Sequence, residues 1–376
     1  ETGFSFQDYM NFMGGAQNMM KRGGFDGGTG GMPMSGDSDD GFLNTHSTGV
    51  NLNYRPTNQA TITSSIFLSA FDKNYQKDLY RLTYFSDSTV QTNELNNQTS
   101  NNLSNRFTLK YEQKFDTTHL LTMNLSGSWN QADYFSGSYL ENFDSRDSLA
   151  NQFATQLTQN NFQYDFDGSV RYRKKFVKDG RFTGGGFSYG LSNNDYTTNL
   201  EYLNTFYLSG VPLTSNVYQN QYNLQSTSNM SGNWMFSEPI SARMLLQLEL
   251  AHNRNTEGRD KEVFDIAASE VKNDFLSAQA DYLYFSNNAT LTHKYIGTKV
   301  KTTLDAKFKN LNLAGDSIFA ENKVFNYILP GLRVKWEASK KADFNFSYNT
   351  SVNVPSLNQL QPLPDNTNPS EIVLGN

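Results

Sequence analysis

The feature that most constrains this chain is a period-2 alternation of apolar and polar side chains, which runs from about Phe42 onward and is broken by regularly spaced tight turns. Successive side chains of a strand point to opposite faces, so such runs predict strands with one oily and one polar face. Phe107, Leu109, Tyr111 and Phe115 share one face, while Arg106, Thr108, Lys110, Glu112 and Lys114 take the other. Leu121, Met123, Leu125 and Trp129 likewise oppose Thr122, Asn124, Ser126 and Ser128. The next run sets Phe162, Tyr164, Phe166, Val170, Tyr172 and Phe176 against Gln163, Asp165, Asp167, Arg171, Arg173 and Lys175. Further on, Ile240, Ala242, Met244, Leu246, Leu248 and Leu250 oppose Ser241, Arg243, Gln247 and Glu249, with Leu245 out of phase. Leu332, Val334 and Trp336 oppose Arg333, Lys335 and Glu337. Several of these runs are longer than the usual strand of a soluble domain.

Turn chemistry recurs at Arg55-Pro56-Thr57-Asn58, Asp116-Thr117-Thr118, Val177-Lys178-Asp179-Gly180, Ser237-Glu238-Pro239, Ile296-Gly297-Thr298 and Ser339-Lys340-Lys341. Each break carries Pro, Gly, Asp or small polar residues between two strand-like runs. Six tight turns predict six hairpins and about twelve strands. The other strand ends are joined by longer polar, Asn-rich segments, read as loops over residues 71–102, 133–160, 193–220 and 253–275. Short turns at one end and long loops at the other match an outer-membrane barrel, with its turns in the periplasm and its loops outside. An aromatic residue precedes every tight turn on the oily face: Tyr54, Phe115, Phe176, Phe236, Tyr295 and Trp336. Amphipathic rings settle where hydrocarbon meets headgroups, so this row predicts a periplasmic girdle. The expected fold is therefore an all-β, antiparallel, up-and-down transmembrane barrel located in the outer membrane.

Composition agrees. The chain has 376 residues, no cysteine, 14% aromatics and a net charge of −6. Disulfide scaffolds, thiolate metal sites and basic nucleic-acid binders are excluded. Mean hydropathy is −0.63 and no long apolar run exists, so no transmembrane helix is predicted. A barrel strand escapes that test because it shows lipid only every second residue. Residues 1–41, rich in Gly and Met, read as an extracellular loop; 42–352 read as barrel strands and loops, and 353–376 as another extracellular loop.

The closing stretch carries Pro355, Gln359, Leu360, Pro362, Asn368, Pro369, Gly375 and Asn376. With the opening Phe4-Ser-Phe-Gln-Asp-Tyr and the run Gly49-Val-Asn-Leu-Asn-Tyr54, it resembles TonB-dependent receptor-like outer-membrane proteins of the Bacteroidetes type. That resemblance implies a larger barrel of the 22-stranded kind, a plug domain in the lumen and energised ligand uptake driven by a TonB-type motor. Asn353-Val354 stands where the family has Arg before Pro355, and the motif breaks off at Gly375-Asn376, so the chain reads as part of a longer polypeptide. The alternative is a structural or interaction barrel serving an outer-membrane assembly, secretion or lipoprotein complex, with surface lipoproteins or other subunits as partners.

Other motifs favour bland readings. Gly186-Phe-Ser188-Tyr-Gly190 matches a hydrolase elbow, but it sits inside an alternating strand rather than at a strand-to-helix turn. His46, His119, His252 and His293 show no ligand spacing. The clustered methionines from Met10 to Met34 suit partner contact better than Cu(I), and Asp37-Ser-Asp39-Asp40 lacks the spacing of a calcium loop. No catalytic residue, metal or cofactor is expected, and the lipid of the outer membrane is the expected surrounding. The expected lumen wall is Arg106, Lys110, Glu112, Asp165, Arg171, Arg173, Arg243, Glu249, Arg333, Lys335 and Glu337.

Overall fold

A computed structural model describes residues 41–360 except 87, 209–210, 267–268, 316–321, 340 and 356. The fold is all-β. Its strands are β1 (Phe42–Thr57), β2 (Ala60–Tyr84), β3 (Thr89–Lys114), β4 (His119–Phe143), β5 (Leu149–Lys175), β6 (Phe182–Leu208), β7 (Val211–Ser241), β8 (Met244–Ile266), β9 (Glu270–Lys272), β10 (Ala278–Ile296), β11 (Val300–Ala314), β12 (Lys323–Ser339) and β13 (Ala342–Asn349), followed by the one-turn helix α1 (Leu357–Leu360). Every strand pairs antiparallel with its chain neighbours in an up-and-down, barrel-like meander, and the short β9 adds only to β8. Among the described residues β1 and β13 are each paired on one side only.

Register makes the two faces continuous across the sheet. Met123 of β4 lies opposite Tyr111 and Val170, and Val170 lies opposite Phe187. Leu248 lies between Phe236 and Leu291, and Leu304 between His293 and Leu332. The oily face is exposed: Leu291 is 47% and Ile328 79% accessible. Such residues, repeated on strand after strand, form a surface far larger than a soluble monomer shows.

The continuous run of outward-facing apolar residues occupies the end of each strand nearest the tight turns, and isolated apolar side chains such as Tyr80, Leu82, Tyr84, Phe135 and Tyr139 recur on the same face toward the far ends. On β8 the continuous run goes from Met244 through Leu246, Leu248 and Leu250 to His252, after which Arg254, Thr256, Gly258, Asp260 and Glu262 take over. On β12 it goes from Trp336 back to Ile328, and Asn326 follows. The band is about 9 residues tall, close to the roughly 9–11 that a tilted strand needs to cross hydrocarbon.

Five of the six tight turns fall where turn chemistry places them: four at 58–59, 115–118, 176–181 and 297–299, and a fifth between Ser339 of β12 and Ala342 of β13. The exception is the turn between β7 and β8. Ser241 pairs with Met244, so the reversal occupies Ala242 and Arg243 and β7 continues through Pro239. Pro239 lacks an N–H, yet it sits near the strand end beside a register shift, where a lost ladder bond costs little. As a result Phe236 lies deeper in the strand than the other girdle residues.

The long loops give way to strand. β2 extends to Tyr84 and β3 starts at Thr89; β4 and β5 are separated only by 144–148; β6 ends at Leu208 and β7 begins at Val211. Among the described residues the connection between β8 and β10, which includes β9, retains a longer excursion. β7 has 31 residues and is therefore roughly 100 Å long, about three times the hydrocarbon thickness. The extensions are rich in Asn, Gln, Ser and Thr, so apolar alternation becomes irregular there while backbone pairing continues, with Tyr134, Leu157, Tyr196, Leu200 and Tyr202 buried on the inner face and Tyr80, Leu82 and Tyr84 exposed on the outer. Cross-strand side-chain bonds join the ladders, as in Thr92 Oγ1 donating to Asn142 Oδ1 at 2.6 Å and Asn142 Nδ2 donating to Asn151 Oδ1 at 2.8 Å.

The turn at 176–181 is clamped to the neighbouring hairpin. Glu238 accepts from Arg181 Nε at 2.6 Å, from an Arg181 terminal nitrogen at 2.8 Å and from Lys178 Nζ at 2.7 Å. Gly180, at φ +83°, occupies the left-handed region beside Pro239 and closes the turn. Bonds from Arg181 and then Lys178 hold the Glu238 carboxyl down at about 2, on the turn side of the aromatic row. Since this value lies below the ordinary carboxylate one, the clamp is fully present above about pH 4.5 and fades as pH falls toward 2. Glu238→Gln is expected to speed tryptic cleavage at Lys178 and Arg181 at neutral pH, as limited proteolysis would read, and to abolish the acid dependence of amide-exchange protection in the 176–181 turn. The effect is small because these groups face solvent.

Candidate functional site: the concave inner wall

The face opposite the oily band is concave. A cavity of about 650 Å³ at its turn end is lined by residues from every strand between β4 and β11 except β9, including Thr122, Arg171, Gly186, Asn233, Glu249 and Lys307. A second cavity of about 870 Å³ lies further along the same face, between Asn124, Asp167, Asn229, Asn255 and Lys309.

Ten of the eleven sequence-predicted wall residues lie on this inner face. Register places Lys110 opposite Asn124, Arg171 opposite Thr122 and Gly186, Glu249 opposite Thr290, and Arg333 opposite Thr303. Arg106 and Asp165 both oppose Ser128, and Ser128 Oγ donates to Asp165 Oδ2 at 3.3 Å. Glu112 pairs with Lys110 at 3.5 Å, and Glu337 with Lys335 at 3.7 Å. Arg173 lies opposite Gly184. Arg243 is the exception: it occupies the β7–β8 turn, and its carbonyl accepts from Ile296 N at 2.8 Å. The misreading followed from placing the turn too early, which left Ile240 and Ala242 as strand.

Of the girdle residues, Tyr54, Phe115, Phe176 and Trp336 are exposed on the outer face, whereas Phe236 and Tyr295 are half-buried. Trp336 stacks on Phe344 of β13 at 5.4 Å between centroids. The Gly186–Gly190 pattern lies within β6, with Ser188 Oγ 2.6 Å from Ser231 Oγ on the adjacent strand. Among the described residues no group of His, Asp and Glu is placed to hold a metal.

Sequence reasoning missed the inward turn of the chain after β13. Thr350 Oγ1 donates to the Pro330 carbonyl at 2.7 Å, and Lys309 Nζ donates to the Val352 carbonyl at 3.3 Å. Val352, Asn353 and Val354 line the second cavity, and Leu357 is buried against Ala280, Tyr282, Leu311 and Leu313 on the inner face. Leu360 and Val354 pack on the same cluster. Pro355 lies in this segment and Gln359 in α1; Pro362, Asn368, Pro369, Gly375 and Asn376 fall outside the described residues, as do residues 1–40 with their methionines and acidic run. The apolar Leu311 and Leu313 on an otherwise charged face of β11 were the available signal for an inner contact. Beside them Tyr282, beyond the outward apolar band, has its hydroxyl pushed up to about 12 by burial and then by Glu257.

Toward the far end the inner wall becomes rich in amides, with Arg259 and Lys261 also buried among them. Gln159, Asn161, Thr198, Gln219, Gln221 and Asn223 are all buried there, beside Tyr134, Tyr196 and Leu200. Gln219 Nε2 donates to Asp265 Oδ1 at 2.7 Å, tying β7 to β8.

No protein-family model matches the chain, and no curated protein matches it. Among solved structures, the translocator domain of the autotransporter NalP from Neisseria meningitidis aligns over 81% of this chain and 90% of its own, at 11% identity and a TM-score of 0.15. A score that low lends no weight to either fold or function. The oily outer band and the concave charged inner wall therefore stand on the strand register alone.

Proposed function

We propose that this chain forms the wall of an outer-membrane β-barrel whose charged inner face receives a ligand for uptake, as in TonB-dependent receptor-like proteins. One observation carries the reading: a continuous apolar band, about one membrane thick, runs across the outward face at the turn end while the inward face is concave and charged. Outer-membrane lipid surrounds the band, a plug domain enters the lumen and a TonB-type motor moves it; the wall itself binds and guides without catalysing a reaction. Site-specific photo-cross-linking from the 176–181 turn, in cells producing the native polypeptide, is expected to trap a TonB-type coupling protein. Trapping only lipoproteins or assembly subunits would contradict uptake.

The second reading is an interaction barrel within an outer-membrane complex. It draws on the strand extensions, which raise exposed Tyr80, Leu82, Tyr84 and Leu213 well beyond the band. A bare pore needs no such surface.

A further inference from the structure

We propose that the turn-end cavity is a binding site for a small diffusible anion carrying a carboxylate, phosphate or sulfate group, held by Arg171, Arg173 and Lys307. The proposal deepens the uptake reading and rests on the inner wall being a water-accessible lumen.

Charge is the first observation. Three cations line this cavity against one carboxylate, Glu249, although the whole chain is acidic at −6. The ion pairs of the described residues join other side chains and leave Arg171, Arg173 and Lys307 without a carboxylate partner. A concave wall with an excess of one sign focuses its field inward and concentrates counter-ions. Rings of Arg and Lys select anions by this means.

Shape is the second. Arg171 and Arg173 of β5 lie directly opposite Gly186 and Gly184 of β6. A Cβ at Gly186 would meet Arg171 Cγ at 3.1 Å and Asn233 Oδ1 at 3.0 Å, so the arginine stem lies flat across the bare backbone. The glycines thus form a floor that lets guanidinium groups and a ligand share the wall. Around it Ser169, Ser188, Ser231, Asn233, Asn253 and Asn288 supply neutral hydrogen-bonding groups. Guanidinium forks suit planar and tetrahedral oxyanions by paired N–H donation.

These 376 residues hold no cysteine, so a thiol introduced in the wall reports on the site once the rate of the unsubstituted polypeptide is subtracted. Ser188→Cys is placed on the cavity floor in the full polypeptide, in native outer membranes. It is reacted with negatively and positively charged methanethiosulfonates, and each rate is divided by that of free cysteine. The anionic reagent is expected to be favoured about 10-fold. Inorganic phosphate should slow it, Arg171→Gln with Arg173→Gln should erase the preference, and Arg171→Lys should largely retain it. Equal normalised rates, indifference to phosphate, or a preference that survives loss of both arginines would overturn the anion site while leaving the lumen intact. Failure of both reagents to react would overturn the lumen reading as well.

Discussion

An arginine placed at Leu248 is expected to destabilise the membrane-inserted protein by about 2–4 kcal/mol, the cost of a cation on the lipid face at mid-depth. Leu248 sits in the middle of the outward band, between Phe236 and Leu291 on the flanking strands. Depth distinguishes this from ordinary core damage. Met244→Arg, on the same face but at the edge of the band, is expected to cost roughly 0–1 kcal/mol. Glu249→Gln, one residue away but on the inner wall, is expected to be near neutral. Urea unfolding in bilayers measures all three. A cost that ignores depth would point to an oily face covered by protein.

Leu357→Asp is expected to release the segment after β13 from the inner wall. Leu357 is buried among Ala280, Tyr282, Leu311 and Leu313, and losing such a leucine costs about 2–5 kcal/mol before any charge is counted. The other attachments of the segment are the packing of partly buried Val354 and Leu360 on the same cluster and a few hydrogen bonds at 2.7–3.4 Å from Thr350, Lys309 and the Leu357 amide, each bond worth on the order of 1 kcal/mol. The strand ladders do not depend on them. A cysteine at Asn255, which lines the second cavity and is buried, should then be labelled on the order of 10-fold faster than in the Leu357 parent, about 1.4 kcal/mol of lost protection. Unchanged labelling in a folded wall would show that the segment does not cover this cavity.

These expectations draw unequally on the sequence. Face assignment was legible because a hydrophobic strand has only two registers, and Leu248 beside Glu249 leaves no choice between them. Turn positions were legible where Gly, Asp or Pro punctuated the chain. At Ser237-Glu238-Pro239 the punctuation misled, because proline near a strand end breaks no essential bond, and Arg243 was misplaced in consequence. The strand extensions were illegible for a different reason: backbone pairing leaves little signature where Asn, Ser, Thr and Gln interrupt the apolar alternation. Such stretches look like loops until Thr92, Asn142 and Asn151 are seen in one side-chain ladder. The inward segment needed three dimensions, since Leu311 and Leu357 lie far apart in the chain.

The central claim is that β8 separates lipid from water along its length. Its most direct test is a cysteine scan from Leu246 to Ala251 in native outer membranes, using a bulky water-soluble maleimide. Labelling is expected at Gln247, Glu249 and Ala251 and is expected to fail at Leu246, Leu248 and Leu250 until detergent is added. Labelling of both sets in intact membranes would contradict the account.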